Sequence, residues 1–282
     1  MIGPMGRHCQ PTNGIRRIGL VLLLVLAFPA AARQYFLEFG AGPPNQSGYL
    51  QTPAGGMPGT ASPRRPSLAE IDLDKGDYRW LVAGVDFHRG AESANRESEP
   101  RFRLRFQMRY SAVRDQATTR LDAPFTIRGG VFGVGDTVRS RVSFDGLILT
   151  FCAVFDLTPS LSAALGVDTG WTAFDFTMVG EQHRTERAYH VNTFGLVGAV
   201  DWDFGNGWHL DATLAAAPAF EGTGSRYAAE TRLQRDLSTR VGVALGARIE
   251  GFRYDDEHKQ ALPNRLKVRR WVVPSVSVRL RL

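Results

Sequence analysis

Two cysteines are all the chain carries, and Cys9 sits in an N-terminal segment expected to be removed. Cys152 is then left with no partner for an internal disulfide and no neighbouring ligands for a metal, so its expected role is a small residue packed on a strand. Long apolar runs are also missing. The longest, Leu20–Phe28, falls well short of the roughly 20 residues a helix needs to cross a bilayer. No convincing amphipathic helix, internal repeat or charge block is present. RGGVFGVGD (128–136) lacks the Gly-Lys-Ser/Thr ending of a phosphate-binding loop, and reads as a flexible loop or hairpin. No metal-ligand cluster appears in the sequence, so neither a cofactor nor a metal is expected.

Acids are absent from the first 32 residues, which carry Arg7, Arg16 and Arg17. A basic start, the short apolar run and Pro29-Ala30-Ala31-Ala32 have the order of a secretory signal peptide. Residues 1–32 are expected to be cleaved after Ala32, leaving 33–282 as one domain. Cleavage lowers the formal net charge from +6 to +3, because three arginines and no acid leave. The high pI therefore reflects an arginine-rich chain with a modest basic excess, and nucleic acid is not an expected partner.

What the chain has is alternation. In RFRLRFQMRY (101–110), Phe102, Leu104, Phe106, Met108 and Tyr110 take one face, and Arg101, Arg103, Arg105 and Arg109 the other, with Gln107. LILTFCAVFDL (147–157), LSAALGVDTGW (161–171), TFGLVGAVDWDF (193–204), WHLDATLAAAPAF (208–220) and VGVALGARIEG (241–251) repeat the period of two. VVPSVSVRLRL (272–282) puts Val272, Pro274, Val276, Val278, Leu280 and Leu282 on one side. YFLEFGAG (35–42), YRWLVAGVDFH (78–88) and YAAETRLQRDL (227–237) follow more weakly. The expected fold is all-β: an antiparallel barrel of about ten strands, with eight left open.

A soluble barrel buries its apolar face; a membrane barrel turns that face to lipid and keeps a polar lumen. Three observations favour a transmembrane barrel. The polar faces combine small residues with both signs of charge: Glu38, Asp86, Asp168, Asp201, Asp203, Asp211, Glu230 and Glu250 against Arg103, Arg105, Arg109, Arg232, Arg248 and Arg279. DLTPS (156–160), GNG (205–207) and DLST (236–239) are tight links, while 179–188 and 253–268 are longer and 43–77 and 113–140 much longer. Aromatics collect beside the tight turns at Phe155, Trp202, Phe204 and Trp208. Short periplasmic turns, long outer loops and aromatic girdles are the pattern of an outer-membrane barrel. RGAESANRESEP (89–100) is long for a periplasmic turn. The arginines of 101–110 then point into the lumen, where they are expected to pair with carboxylates from other strands in a polar, largely salt-bridged lumen, with an anion-attracting constriction as the alternative.

On these features, and on the terminal strand VSVRLRL, the chain resembles small Gram-negative outer-membrane β-barrels of the outer-membrane protein A type. Such proteins usually end on an aromatic residue, whereas this one ends on Leu282. The resemblance implies residence in the outer membrane, contact with its lipids and lipopolysaccharide, and handling by the barrel-assembly machinery. It also implies a structural or surface-interaction role or a narrow pore, with any extracellular ligand on loops 43–77 and 113–140.

Asp256-Glu257-His258 is similar to the Asp-Glu-His segment of the omptin proteases. There, an Asp two residues before a His orients a general base, which implies an omptin-like hydrolase as the alternative, with Asp256 and His258 as candidate catalytic residues. The His-x-Ser pattern of barrel lipid A deacylases is missing: Arg184-Thr185 follows His183, and Val191-Asn192 follows His190. A soluble periplasmic barrel is a further alternative. The lumen charges expected to matter most are Arg103, Arg105, Arg109, Asp168, Asp211, Glu230, Arg248 and Glu250.

Overall fold

The computed structural model describes residues 33–51, 66–88, 102–127, 130–220, 223–256 and 264–282. The expected signal peptide, the 89–100 connection and His258 lie outside these residues. The chain forms β1 (Arg33–Gly42), β2 (Pro44–Gln51), β3 (Asp77–His88), β4 (Phe102–Arg120), β5 (Phe125–Ile127), β6 (Gly130–Phe132) and β7 (Thr137–Thr158). It continues with β8 (Leu161–Val179), β9 (Arg184–Gly205), β10 (Trp208–Pro218), β11 (Gly224–Asp236), β12 (Val241–Asp255) and β13 (Arg265–Arg281).

Each long strand pairs antiparallel with the next, and β1 closes on β13. β2 continues the line of β1 beyond Pro43 and runs along the upper part of β13. With β1 and β2 counted as one wall strand and the β5–β6 hairpin apart, the barrel has ten strands, not eight.

The ends of the barrel differ. At one end, residues 159–160, 206–207 and 237–240 make tight turns, and the strand of Tyr35 meets the C-terminal Leu282, whose N–H donates to the Tyr35 carbonyl at 3.0 Å. Gly205, Asn206 and Gly207 all have positive φ (81°, 53° and 75°), which these residue types adopt at least cost and which suits a two-residue hairpin. At the other end the strands run on. β7 and β9 each have 22 residues, about twice the 9–11 that a tilted strand needs to cross a bilayer.

The outer connections are therefore shorter than expected. β4 continues to Arg120 and β7 begins at Thr137, so the 113–140 link shrinks to 121–136, with the β5–β6 hairpin inside it. The 179–188 link is only residues 180–183, and the 253–268 link only 256–264. Within 43–77, residues 44–51 are strand and 77 opens β3.

The physical cause is an inversion of the strand faces. On lower β7 the outward residues are Leu147, Leu149, Phe151, Phe155 and Leu157, and the inward ones include Thr150, Cys152 and Asp156. From Asp145 upward the outward residues become Ser143, Arg141 and Arg139, while Phe144, Val142 and Val138 are buried inside. β8 swaps at Phe174 and Asp175, and β9 swaps above Phe194, where Asn192 and His190 face out and Val191 and Tyr189 in. Period-two alternation persists through the swap, but its sense reverses, so a single apolar stripe ends where the strand does not.

The lower outer surface is an apolar belt: Leu165, Leu196 and Leu214 are 65%, 66% and 66% exposed, with Phe102, Phe194, Val276 and Trp271 around them. A soluble barrel would have this face inside, so the fold is a transmembrane β-barrel. One residue departs from the expected stripe. β13 carries a register shift against β12 where Val273 and Pro274 both face out, so Val272 is fully buried inside. Proline lacks the ladder N–H, and a bulge is where a strand tolerates it.

Above the swap the barrel is filled. Residues 66–74 fold inward and lay Leu68, Ile71 and Leu73, all fully buried, on an apolar core with Phe132, Phe174 and Leu266. Ser67 and Glu70 exchange backbone N–H bonds at 2.7 and 3.2 Å, a capping-box arrangement that holds the short 3-10 turn Ala69–Ile71. The Leu50 and Leu68 N–H groups donate to the carbonyls of Pro66 and Gly48, so this segment covers β2.

Candidate functional site

The lumen is stratified. At the tight-turn end lies a cavity of about 770 Å³, lined among others by Arg103, Asp156, His209, Gln234 and Arg281. His209 Nε2 lies 3.0 Å from Asp236, which also takes two bonds from Arg281 at 2.7 and 3.0 Å.

Above this vestibule the charges meet. Arg105 forks onto Asp86 at 2.8 and 3.1 Å and reaches Asp201 at 3.1 Å. Arg232 joins Glu38 at 2.5 Å and Asp211 at 3.2 Å. Arg279 donates twice to Glu38, at 3.1 and 2.9 Å. One step higher, Arg109 forks onto Glu230 at 2.5 and 3.1 Å, and Arg248 joins Glu230 at 2.9 Å and Glu250 at 3.1 Å. Arg270 closes the row, bonded to Glu250 and, at 3.0 Å, to Gln46. Planar guanidinium groups suit this layer, because a fork can hold both oxygens of one carboxylate, as Arg109 does with Glu230, or bridge two strands, as Arg105 does between Asp86 and Asp201. The pore left among these groups is a cavity of only about 100 Å³.

The next layer is aromatic. The Arg270 guanidinium lies 3.9 Å from the centroid of the Phe144 ring, so a cation caps the charge layer and an arene opens the apolar one. Phe144 packs on Phe174 at 4.6 Å and Phe252 at 6.3 Å, and Phe174 on Tyr189 at 5.9 Å. These rings come from β7, β8, β9 and β12.

The structure places all eight expected lumen charges inside the barrel. Arg105, Arg109, Asp211, Glu230, Arg248 and Glu250 belong to the network just described. Asp168 pairs with Arg226 at 2.5 Å, and Arg103 lies lower, 3.5 Å from Asp156. Sequence reasoning missed Arg226, Arg270 and Gln46. Arg226 and Arg270 fall just before the expected starts of their strands, at 227 and 272, and Gln46 falls in a stretch read as loop.

Asp256 is buried and clasps the last outer connection. Its carboxylate accepts the Asn264 N–H at 2.6 Å, the Asn264 amide at 2.7 Å and the Tyr254 hydroxyl at 3.1 Å; Tyr189 donates to Asn264 at 3.1 Å. Among the described residues, no group of three metal-ligating side chains occurs.

No protein-family model matches the chain, and no curated protein matches its sequence. The solved structures it is similar to are outer-membrane barrels. The outer membrane protease OmpT from Escherichia coli is 8% identical, with 92% of this chain and 100% of that one covered and a TM-score of 0.47. The translocator domain of autotransporter NalP from Neisseria meningitidis is 11% identical, with 95% of each chain covered and a TM-score of 0.38. Ail, the attachment invasion locus protein of Yersinia pestis, is 8% identical, with 89% and 99% covered and a TM-score of 0.35. With TM-scores below 0.5 these likenesses carry no residue correspondence, and the barrel stands on its own strand pairing.

Proposed function

We propose that this chain is an outer-membrane barrel with a sealed lumen, a rigid anchor that holds a folded β-structure above the membrane for contact at the cell surface. One observation carries this reading. The interior changes from paired charge to packed aromatic rings and a loop-borne cap at the height where the outer surface changes from apolar to polar. A conducting pore needs a continuous wet path, and an apolar core across the lumen removes it. The polar outer wall above the belt, with Arg114, Gln116, Thr118 and Arg120 on β4 and Arg139 and Arg141 on β7, is the surface such an anchor would present. The terminal strand is the expected handle for the barrel-assembly machinery.

Intact-cell labelling tests the arrangement. With Cys152 replaced by Ser, a membrane-impermeant maleimide should modify Thr118→Cys on intact cells. It should modify Ser160→Cys, in a tight turn, only after the outer membrane is broken. Labelling of both on intact cells, or of neither, contradicts the orientation.

A further inference from the structure

The outward side chains just above the belt are not uniform around the barrel. On β8 and β9 they are Asp175, His190 and Asn192. On β12 and β13 they are Arg253, Lys267 and Arg269, all exposed. Arg253 and Lys267 are direct cross-strand partners, and Arg269 lies opposite Gly251. Paired Cα atoms stand about 4.5–5.5 Å apart, and residues two along a strand about 7 Å, so the three cations form one tight cluster. Arg253 is shared with Asp255 at 3.2 Å, but neither Lys267 nor Arg269 has an ion-pair partner among the described residues.

The cluster has a floor. Trp271, 51% exposed, sits two residues below Arg269 on the same face. The Tyr227 ring lies across Gly251, where any side chain would collide with it, and so flanks the cluster from β11. Exposed Trp and Tyr mark the height at which a barrel passes from acyl chains to headgroups. Exposed Ser47 and Asn45 on β2 stand opposite Arg269 and Trp271. Free cations and hydroxyl and amide groups, set on an aromatic shelf at headgroup depth, match an anionic phosphate whose acyl chains run down beside Trp271.

We infer that Arg253, Lys267 and Arg269 form a docking site for the phosphorylated headgroup of an outer-leaflet lipid, that is, the lipid A part of lipopolysaccharide. The inference rests on the membrane reading above and names a partner for one face of the barrel. Its test uses the mature chain refolded in maltoside micelles, with heat-modifiable gel mobility reporting folding. Bisphosphorylated lipid A is added, and its retention is measured by native mass spectrometry.

The wild-type chain should retain the lipid, and retention should weaken as salt rises. Combined Arg253→Gln, Lys267→Gln and Arg269→Gln should weaken retention at least tenfold, while Arg139→Gln with Arg141→Gln, higher on the wall, should leave it unchanged. If the triple variant fails to fold, Arg269→Gln alone should still lower retention severalfold. Dephosphorylated lipid should not be retained, and millimolar inorganic phosphate alone should not displace lipid A. Equal retention by the triple variant, equal loss in the control pair, or full displacement by free phosphate overturns the lipid site. A chain that folds and inserts but keeps no lipid A overturns the site alone; a chain that never inserts overturns the membrane reading itself.

Discussion

At the scale of single residues, the charge layer of the lumen depends on pairing. Glu230 takes bonds from Arg109 across the barrel and from Arg248, its direct partner on β12. Removing one member of such a buried set leaves uncompensated charge and costs about 3–5 kcal/mol. Glu230→Gln should therefore lower the urea midpoint of the folded barrel in micelles far more than an exposed change such as Thr118→Ala; equal midpoints contradict the network's role. A second residue prediction lies above the membrane. Burial lifts the Asp115 carboxyl to about 6 from its ordinary 3.8, helped by Asp74 and Asp77 and opposed by the N–H groups of Gln116 and Lys75. The folded state thus holds this proton more tightly than the unfolded one, so stability should fall as pH rises from about 4 to about 6 and then level off. Asp115→Asn should remove that fall and raise stability at neutral pH. Urea titrations of both proteins across this range check it, and parallel curves contradict it. Most of these residues were legible in the sequence, since inward arginines and carboxylates sit on the polar face of alternating strands. Their pairings were not, because Arg109 and Glu230 are 121 residues apart and only barrel closure brings them together.

At the scale of elements, the instructive feature is β7, where one outward face is apolar below Asp145 and polar above it. Arginine at mid-bilayer on a lipid face costs roughly 2–4 kcal/mol, falling to about 0–1 near the interface. Leu149→Arg should therefore depress folding into lipid vesicles strongly, whereas Ser143→Arg, six residues along the same outward row, should be tolerated. Equal effects in a vesicle-folding assay would remove the boundary from β7. The same feature explains what sequence reading got right and wrong about strands. The apolar stripes located all ten wall strands, weakly at 35–42, 78–88 and 227–237, but left β2 in a loop. They ended the strands too early, because an inverted stripe above the membrane looks like the beginning of a loop. β13 shows a second limit: the bulge at Val273 and Pro274 shifts the phase, so Val272 points in although it matches the outward set.

At the scale of the whole molecule, the interior stacks unlike layers, which the proposed function reads as a seal: an open vestibule of about 770 Å³, a cross-linked charge layer around about 100 Å³, an aromatic layer and an inward-folded cap. The paired charges are the salt-bridged lumen filling expected from the sequence; the cap was not foreseeable. The choice between a paired lumen and an anion-attracting constriction turns on distances, and residues 66–74 carry no periodic signal that tells an inserted cap from a solvated loop. In the proposed reading the layers also divide labour: lipid grips the belt, ion pairs such as Arg109–Glu230 tie distant strands together, and the upper core supports the outer wall. The most direct measurement is single-channel recording of the refolded mature chain in planar bilayers, with heat-modifiable mobility as the folding control. The account predicts a folded, inserted protein that stays silent, and conductance appearing when Phe144, Phe174 and Phe252 are together replaced by Ala and residues 66–74 by a short glycine-serine link. Steady conductance from the unaltered protein would contradict it.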